Sequence, residues 1–357
     1  MPDLNDILTE CVKLDSSDLH LVVNSKPIIR IHGALQKLDD YPVFSSEELH
    51  NLLYAILDEK KKMIFETKFE LDFSHSISGI ARFRCNYYFQ RGTIAAAFRV
   101  VNTQIKTIEE LGLPEIIKEF AQYARGLILV CGPTGSGKST TLASVIDIIN
   151  ETRTENIITV EDPIEYLHRH KKCLISQREI DFDTLSFESA LKHSLREDPD
   201  IIMVGEMRDL ETISSALTAA ETGHLVFSTL HTQDAPQTID RIIDIFPTHQ
   251  QQQIRVQLAG TLKAVLVQQL LPNAANDGRV VAVELMIVNQ GIKNMIREVK
   301  THQIYSAMQA GGREGMIMMD MSLARLFKKG KISKETALDK CHNKEELTRL
   351  INTVISN

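Results

Sequence analysis

The feature that most constrains this chain is the stretch GPTGSGKST at residues 132–140. It fits the pattern G-x-x-x-x-G-K-[ST] and lies between an apolar run, GLILVCG, and a helix expected from Lys138. Backbone N–H groups at such a helix start can cradle phosphates, Lys138 would reach the β- and γ-phosphates, and the Ser139 hydroxyl would bind Mg²⁺. A glycine-rich turn without a ligand is the alternative. The predicted nucleotide-binding residues are Gly132, Pro133, Thr134, Gly135, Ser136, Gly137, Lys138, Ser139 and Thr140.

The segments around this loop predict an α/β domain. Short and almost wholly apolar strands alternate with helices, which is typical of a parallel sheet covered on both faces. The predicted strands are GLILVCG, NIITVED, IIMVGE and HLVFSTLH. From about residue 235 onward the pattern predicts mostly helix, apart from a strand at 279–288.

The first hundred residues predict a smaller α+β domain with a largely antiparallel sheet. Helices are expected at residues 3–14 and from the serine pair that opens SSEELHNLLYAIL, because serine followed by acidic residues is a helix-start signal. Strand-like runs separated by Gly-containing and Pro-containing turns make up the rest. The predicted boundaries are residues 1–101 for this domain, 102–113 for a linker and 114–357 for the α/β domain that carries the phosphate-binding loop and a helical C-terminal part.

Bulk composition restricts the partners and the location. The formal net charge of −7 over 357 residues gives no reason to expect nucleic acid or an anionic membrane as the main partner. No apolar run approaches the ~18 residues of a membrane span, and the start MPDLNDILTE lacks the features of a signal peptide. The five cysteines form no CxxC pair, so neither a zinc module nor a disulfide framework is predicted. We expect a cytoplasmic protein.

Acidic residues follow two of the predicted strands. In ITVEDPIEY (158–166) a strand ends in Glu161, with Glu165 close behind, and such acids lie at the ligand edge of a parallel sheet. Solvated loop acids are an equal alternative. In DPDIIMVGEMRD (198–209) a strand leads into Glu206, which can hold Mg²⁺ through water or orient the water that attacks the γ-phosphate. The alternative for Glu206 is a helix cap.

Two histidines flank another predicted strand. His224 and His231 occur in ETGHLVFSTLHT (221–232), beside the P-loop sheet. A lone histidine is more often structural than catalytic. Because there are two, at the ends of one core strand, we expect them to sense phosphate.

With these clusters placed, the chain resembles the type II/IV secretion and pilus ATPase family over nearly its whole length. ITVEDPIEY resembles the Asp box of that family, DPDIIMVGEMRD its Walker B variant and ETGHLVFSTLHT its His box. The resemblance implies a homo-hexamer in which a PAS-like N-terminal domain and a RecA-like ATPase domain hold ATP between them. It also implies arginines that reach the phosphates from the N-terminal domain. Motif matching favours Arg84 and Arg99, with Arg82 and Arg91 as alternatives.

Within the family, the resemblance favours the branch that retracts type IV pili. The N-terminal part is short, LLPNAANDGRVVAVELM lacks the cysteines of assembly and secretion motors, and GIKNMIRE (291–298) matches five of the eight letters in the retraction helix A-I-R-N-L-I-R-E. The implied function is ATP hydrolysis that depolymerises pilus fibres and drives twitching motility. The implied location is peripheral, at the inner-membrane base of the pilus. The implied partners are a pilus inner-membrane platform protein and a possible second retraction ATPase.

Four other functions remain open from the sequence. Within the family, the chain resembles a paralogous accessory retraction ATPase or, with less support, a pilus assembly or type II secretion motor. Outside it, a nucleic-acid translocase would share the RecA-like core, and an inert accessory ring would bind nucleotide without turnover. The negative net charge argues against the translocase. The presence of Lys138, Ser139 and Glu206 argues against the inert ring.

The helix that carries GIKNMIRE has a two-sided pattern. Its apolar residues recur at helical spacing and are predicted to dock on the ATPase domain: Ile292, Met295, Ile296 and Val299. Its polar residues are predicted to project outward: Asn294, Arg297 and Glu298. We expect this polar face to pass motion to a neighbouring subunit or to the platform.

Overall fold

The structure, a computed structural model, describes residues 2–31, 33–101 and 104–353. The chain divides into two compact units between Gln104 and Ile105. The first two residues of the expected linker, 102 and 103, lie outside the described residues. From Ile105 onward the expected linker is part of the second unit, because Ile108 and Leu113 are buried in its core.

The first unit is an antiparallel sheet with three helices. Its strands are β1 Asp18–Leu21, β2 Ile28–Ile31, β3 Ala34–Lys37, β4 Glu70–Ile77, β5 Ala81–Gln90 and β6 Thr93–Val101, in the order β3-β2-β1-β6-β5-β4. Its helices are α1 Leu4–Lys13, α2 Ser46–Tyr54 and α3 Glu59–Lys68. The sequence did not predict β3 or α3. The antiparallel sheet is as predicted.

Strand β5 shows how this sheet separates core from surface. Phe83, Cys85 and Tyr87 alternate along it and are buried, since successive side chains of a strand point to opposite faces. The buried Tyr87 hydroxyl donates a hydrogen bond to the Leu53 carbonyl, 3.1 Å away. Arg84 therefore lies on the outer face.

The second unit is built on a seven-stranded sheet. Its strands are β7 Gly126–Cys131, β8 Asn156–Glu161, β9 Leu174–Glu179, β10 Ile201–Val204, β11 Leu225–Leu230, β12 Leu262–Pro272 and β13 Arg279–Ile287. Their order is β13-β12-β7-β11-β10-β8-β9, and only the β12–β13 pair is antiparallel. The predicted α/β class with a parallel-sheet core is confirmed.

Helices cover both faces of this sheet. They are α4 Lys138–Thr152, α5 Phe187–Ser194, α6 Leu210–Glu221, α7 Ala235–Asp244, α8 Thr248–Thr261, α9 Gln290–Arg297, α10 Ile304–Ala310, α11 Met319–Lys328, α12 Lys334–Lys340 and α13 Lys344–Asn352, with 3₁₀ helices at Glu115–Gln122, Thr301–Gln303 and Gly311–Glu314. Ile128 and Val130 of β7 pack with α4, whereas Leu127 and Leu129 pack with the helices from α5 to α13. The helix that follows the P-loop and the C-terminal helices therefore lie on opposite faces.

Two expectations about the C-terminal part were wrong. The stretch LKAVLVQQLLP was expected to be helical but forms β12, which is buried between β7 and β13. A mostly apolar run such as this one has no clear period that separates a buried strand from a buried helix. Val299 was expected to dock with the apolar face of α9. The helix ends at Arg297 instead, and Val299 takes a positive φ of 62° and is 56% exposed.

Candidate active site

The P-loop follows β7 directly and needs glycine for steric reasons. Gly132 has φ 137°, and a Cβ there would lie 2.3 Å from the Gln268 carbonyl oxygen of β12. Gly137 has φ 91° and precedes the first residue of α4. Any other residue would strain the backbone at both positions. The loop is thereby pressed against β12, and the free N–H groups of the first turn of α4 lie at the same edge of the sheet.

Lys138 lies inside the loop. Its ammonium donates to the carbonyl oxygens of Gly132 and Pro133, at 2.8 and 3.1 Å. Burial lowers its pKa, and the charge of Glu206 raises it in part. The side chain is thus held at the loop, within the electrostatic field of the Glu206 carboxylate. Ser139 lies beside it in the first turn of α4 and is half-buried.

Glu206 follows β10, two strands from β7 in the sheet order. One of its carboxylate oxygens lies 2.8 Å from the Arg208 guanidinium, and the other lies 3.2 Å from His231 Nε2. Burial raises the pKa of Glu206, but Arg208 and His231 outweigh it, so that the pKa lies below its ordinary value. The carboxylate is therefore ionised at neutral pH and fixed by two partners.

Glu161 ends β8 and faces inward. Its carboxylate is 6% exposed and accepts hydrogen bonds from the Thr159 hydroxyl at 2.6 Å and from Gln177 Nε2 at 3.1 Å. Burial raises its pKa to about 7. Glu165 donates its backbone N–H to the other oxygen, at 3.4 Å, and its own side chain is exposed. The two Asp-box acids thus differ: Glu161 is enclosed by protein donors, whereas Glu165 faces outward.

The two histidines lie at opposite edges of the sheet. His231 follows the end of β11 and contacts Glu206, at the same edge as the P-loop. His224 precedes β11, and its Nδ1 lies 2.9 Å from the Ala219 carbonyl oxygen. The six-residue strand between them separates them by roughly 20 Å. The expectation that both face phosphate is corrected: within this chain only His231 lies at the phosphate edge.

Arg84 and Arg99 belong to the first unit. They are direct partners across β5 and β6, so their side chains share one face of that sheet. Arg99 Nε donates to an Asp18 carboxylate oxygen, 2.9 Å away, and the Arg99 side chain is 66% exposed. Arg84 is exposed as well. The structure thus brings the two arginines together on an exposed face.

Helix α9 has the predicted two-sided character over most of its length. Ile292 and Ile296 are fully buried, and Met295 packs beside them. Asn294 is exposed and accepts a hydrogen bond from Arg297, at 3.3 Å. The docked face and the free face are therefore as predicted, except at Val299.

Three contacts at the site were not predicted from the sequence. The Thr140 hydroxyl bonds the Tyr166 hydroxyl at 2.9 Å, which ties the start of α4 to the Asp-box segment. Gln268 of β12 donates to Thr141 at 2.9 Å. Arg208, which pairs with Glu206, was visible only as a neighbour in the sequence. Individual hydroxyl, amide and guanidinium groups do not form a recognisable sequence motif. The sequence therefore did not predict these contacts.

Residues that could bind a divalent cation with a nucleotide are Ser139 and Glu206. A serine hydroxyl and a carboxylate are oxygen donors, which Mg²⁺ prefers together with phosphate oxygens and water. Within residues 2–31, 33–101 and 104–353, no cluster of three or more His, Cys, Asp or Glu could hold a metal by itself. The donor set therefore fits a cation that arrives with the nucleotide.

A P-loop at the edge of a parallel sheet, with an ionised carboxylate after a nearby strand, defines a P-loop nucleoside-triphosphate-binding domain. Comparison with known proteins narrows the class. A family model described as Type II/IV secretion system protein matches residues 1–353. The chain therefore belongs to that family.

Individual relatives cover almost the whole chain. The type IV pilus retraction ATPase PilT of Pseudomonas aeruginosa is 48% identical over 338 residues, which are 95% of this chain and 98% of that protein. The type IV pilus ATPase PilU of the same organism is 37% identical over 349 residues, 98% and 91% of the two chains. A crystal structure of the pilus retraction motor PilT with bound ADP matches with a TM-score of 0.91 at 47% identity, and covers 98% of this chain and 100% of that one.

Proposed function

We propose that this protein is an ATP-hydrolysing motor that drives type IV pilus retraction and twitching motility. The observation that carries the proposal is the ionised Glu206, fixed by Arg208 and His231 at the P-loop edge of the sheet. The similarity to PilT over 95% of the chain supports retraction as the work performed. The lower identity to PilU, 37% against 48%, favours the principal motor over an accessory one.

The residues of the P-loop edge divide the chemistry of hydrolysis between them. Lys138 would exchange its two backbone carbonyl partners for phosphate oxygens, because both compete for the same ammonium. Glu206 would accept a hydrogen bond from the attacking water and orient it toward the γ-phosphate. His231 and Arg208 would hold that carboxylate in place. Glu161 and Glu165 would form the part of the same sheet edge at the end of β8.

Mg²⁺ is part of this proposal. It would neutralise charge on the phosphates, and Ser139 would bind it directly while Glu206 would bind it through water. These two oxygen donors are the only residues to which we assign the ion. Their chemistry suits a hard cation.

Further elements complete the proposed motor. Arg84 and Arg99 would supply guanidinium groups to the phosphates, a task that suits a rigid planar cation. The active form would be a homo-hexamer at the cytoplasmic base of the pilus, where the polar face of α9 acts on a neighbouring subunit or on the membrane platform protein. No helix among the described residues is long and apolar enough to cross a bilayer.

The test of the catalytic part is phosphate release by the purified chain with ATP and Mg²⁺. The wild-type chain should hydrolyse ATP, and Lys138→Ala should abolish both hydrolysis and ATP binding. Lys37→Ala, which removes an exposed lysine of β3, is the matched control and should behave like wild type. Hydrolysis that survives in Lys138→Ala would refute the assignment of the P-loop.

A further inference from the structure

A cavity lies between the P-loop and the connection of α12 to α13. Residues 133–136 of the P-loop line one side, and residues 339–342 line another. Residues 269–271 of β12 line the cavity as well, so it adjoins both the P-loop and the strand against which that loop packs. The connection between α12 and α13 thus lies beside the P-loop.

The connection is held by a buried carboxylate. Asp320, in the first turn of α11, is 1% exposed. One of its oxygens accepts the backbone N–H of His342 at 2.7 Å, and the other accepts that of Asn343 at 2.9 Å. Both oxygens of this buried carboxyl group therefore accept from two consecutive amides, which fixes the loop backbone beside the cavity.

A second buried carboxylate lies close to the same loop and bonds a segment near the catalytic edge. Glu284 of β13 accepts the backbone N–H of Ala235 at 2.8 Å, and its other oxygen lies 3.9 Å from His342 Nε2. Ala235 begins α7 only four residues after His231, which contacts Glu206. His342 consequently lies between a carboxylate that bonds the first residue of α7 and a cavity that the P-loop lines.

We propose that Asp320 and Glu284 are positioning residues of the nucleotide site. Asp320 holds the connection at residues 339–343 beside the P-loop, Glu284 lies against His342 of that connection, and together they couple the occupancy of the P-loop to the C-terminal helices. The proposal rests on the proposed function, since it requires that nucleotide binds. When phosphates take the Lys138 ammonium, the carbonyl groups of Gly132 and Pro133 lose their partner and the loop rearranges. Residues 339–342 are the part of the C-terminal helical region that lines the cavity beside that loop.

The test is amide hydrogen exchange of the full chain, with and without saturating ADP as the probe. Two segments are followed, the P-loop at 132–140 and the connection at 339–343. In the wild-type chain ADP should slow exchange at 132–140. It should also change exchange at 339–343 by at least about threefold, because both segments contribute to the lining of one cavity.

Asp320→Asn is the decisive variant. The amide can accept only one of the two backbone N–H groups, so exchange at residues 342 and 343 should rise about tenfold or more and become insensitive to ADP. Because such coupling is reciprocal, the variant's ADP affinity should differ from that of the wild-type chain. The factor should equal the one by which ADP changes exchange at 339–343 in the wild-type chain. Glu345→Gln neutralises an exposed carboxylate of α13 and should retain the wild-type response.

His342→Asn guards against a variant that fails to fold. It keeps the backbone N–H bonded to Asp320 and removes the imidazole that faces Glu284. It should weaken the ADP response at 339–343 without accelerating exchange there in the absence of nucleotide. If His342 only stabilises the fold, this variant will keep the wild-type ADP response at 339–343. That result would overturn the proposal.

The possible results distinguish a failure of the coupling from a failure of nucleotide binding. Protection at 132–140 with no change at 339–343 in the wild-type chain would overturn the coupling and leave nucleotide binding intact. An absence of protection at 132–140 would instead contradict the proposed function itself. A wild-type response that Asp320→Asn and His342→Asn both retain would show that other residues position the loop.

Discussion

The His231 imidazole lies with its Nε2 3.2 Å from a carboxylate oxygen of Glu206. Arg208 occupies the other oxygen, so the carboxylate cannot rotate freely and presents a fixed edge. Its lowered pKa follows from the same two partners, which outweigh burial. A base that is ionised at neutral pH and locked in orientation is suited to orient a water for attack.

Replacement of Glu206 by glutamine should separate binding from turnover. The amide has the same size but cannot act as a base, so ATP should bind with near-normal affinity and be hydrolysed at least ~100-fold more slowly. The measurement is ATP affinity and single-turnover hydrolysis with the purified chain. Wild-type turnover in Glu206→Gln would assign the water-orienting role elsewhere.

Glu161 should make stability depend on pH. Its folded pKa of about 7 lies above its ordinary 4.5, so the folded state holds the extra proton and stability falls as the pH rises from about 4.5 to about 7. The difference corresponds to about 3 kcal/mol. Glu161→Gln can still accept from Thr159 and Gln177, so it should flatten this dependence and be the more stable form at pH 8.

The control for that measurement is Glu119→Gln, which changes an exposed carboxylate of the same unit. Its melting temperature should follow that of wild type at every pH. If Glu161→Gln also follows wild type between pH 4.5 and 8, the buried carboxyl does not carry the raised pKa.

Arg99 should matter for hydrolysis and little for folding. Its ion pair with Asp18 is largely exposed, and pairs of this kind contribute about 0–1 kcal/mol. Arg99→Ala should therefore lower the ATPase rate while the unfolding free energy changes by no more than about 1 kcal/mol. Lys68→Ala, at the end of α3, is the exposed control. A destabilised chain whose folded fraction hydrolyses ATP normally would identify a structural arginine.

The polar face of α9 should be needed for retraction and not for hydrolysis. Asn294 and Arg297 bond each other on the free face, while Ile292 and Ile296 anchor the helix. The double variant Asn294→Ala/Arg297→Ala should keep its fold and ATPase rate, since alanine favours helix. Cells that carry it should have pili but should not twitch, whereas Lys300→Ala cells should twitch. Normal retraction in the double variant would mean that this face is simply solvated.

The sequence predicted the parts of the site that have a steric or chemical signature. Glycines with positive φ, a lysine in the loop and an acid after an apolar strand can each be identified without coordinates, and they lie at one edge as expected. His224 precedes β11 and so lies at the amino end of that strand, away from the P-loop edge, and the expectation for the histidine pair did not take the strand direction into account. Strand β12 was missed because a strand that is buried over most of its length shows no regular alternation of apolar and polar residues.

Other features depended on long-range packing. Asp320 and His342 lie 22 residues apart, and Glu284 and Ala235 lie 49 apart, so no local pattern links them. The spacing of apolar residues predicted that the apolar face of α9 continues to Val299. The left-handed backbone conformation of Val299 ends that face. Helix ends of this kind are set by capping geometry and not by periodicity.

The central claim, that ATP turnover by this chain powers retraction, is tested most directly by counting pilus retraction events per cell. The cells express either the wild-type chain or Lys138→Ala, at equal levels, in place of the native copy. Wild-type cells should retract pili and twitch, and Lys138→Ala cells should retain extended pili without retraction events. Retraction at the wild-type frequency in Lys138→Ala cells would contradict the claim.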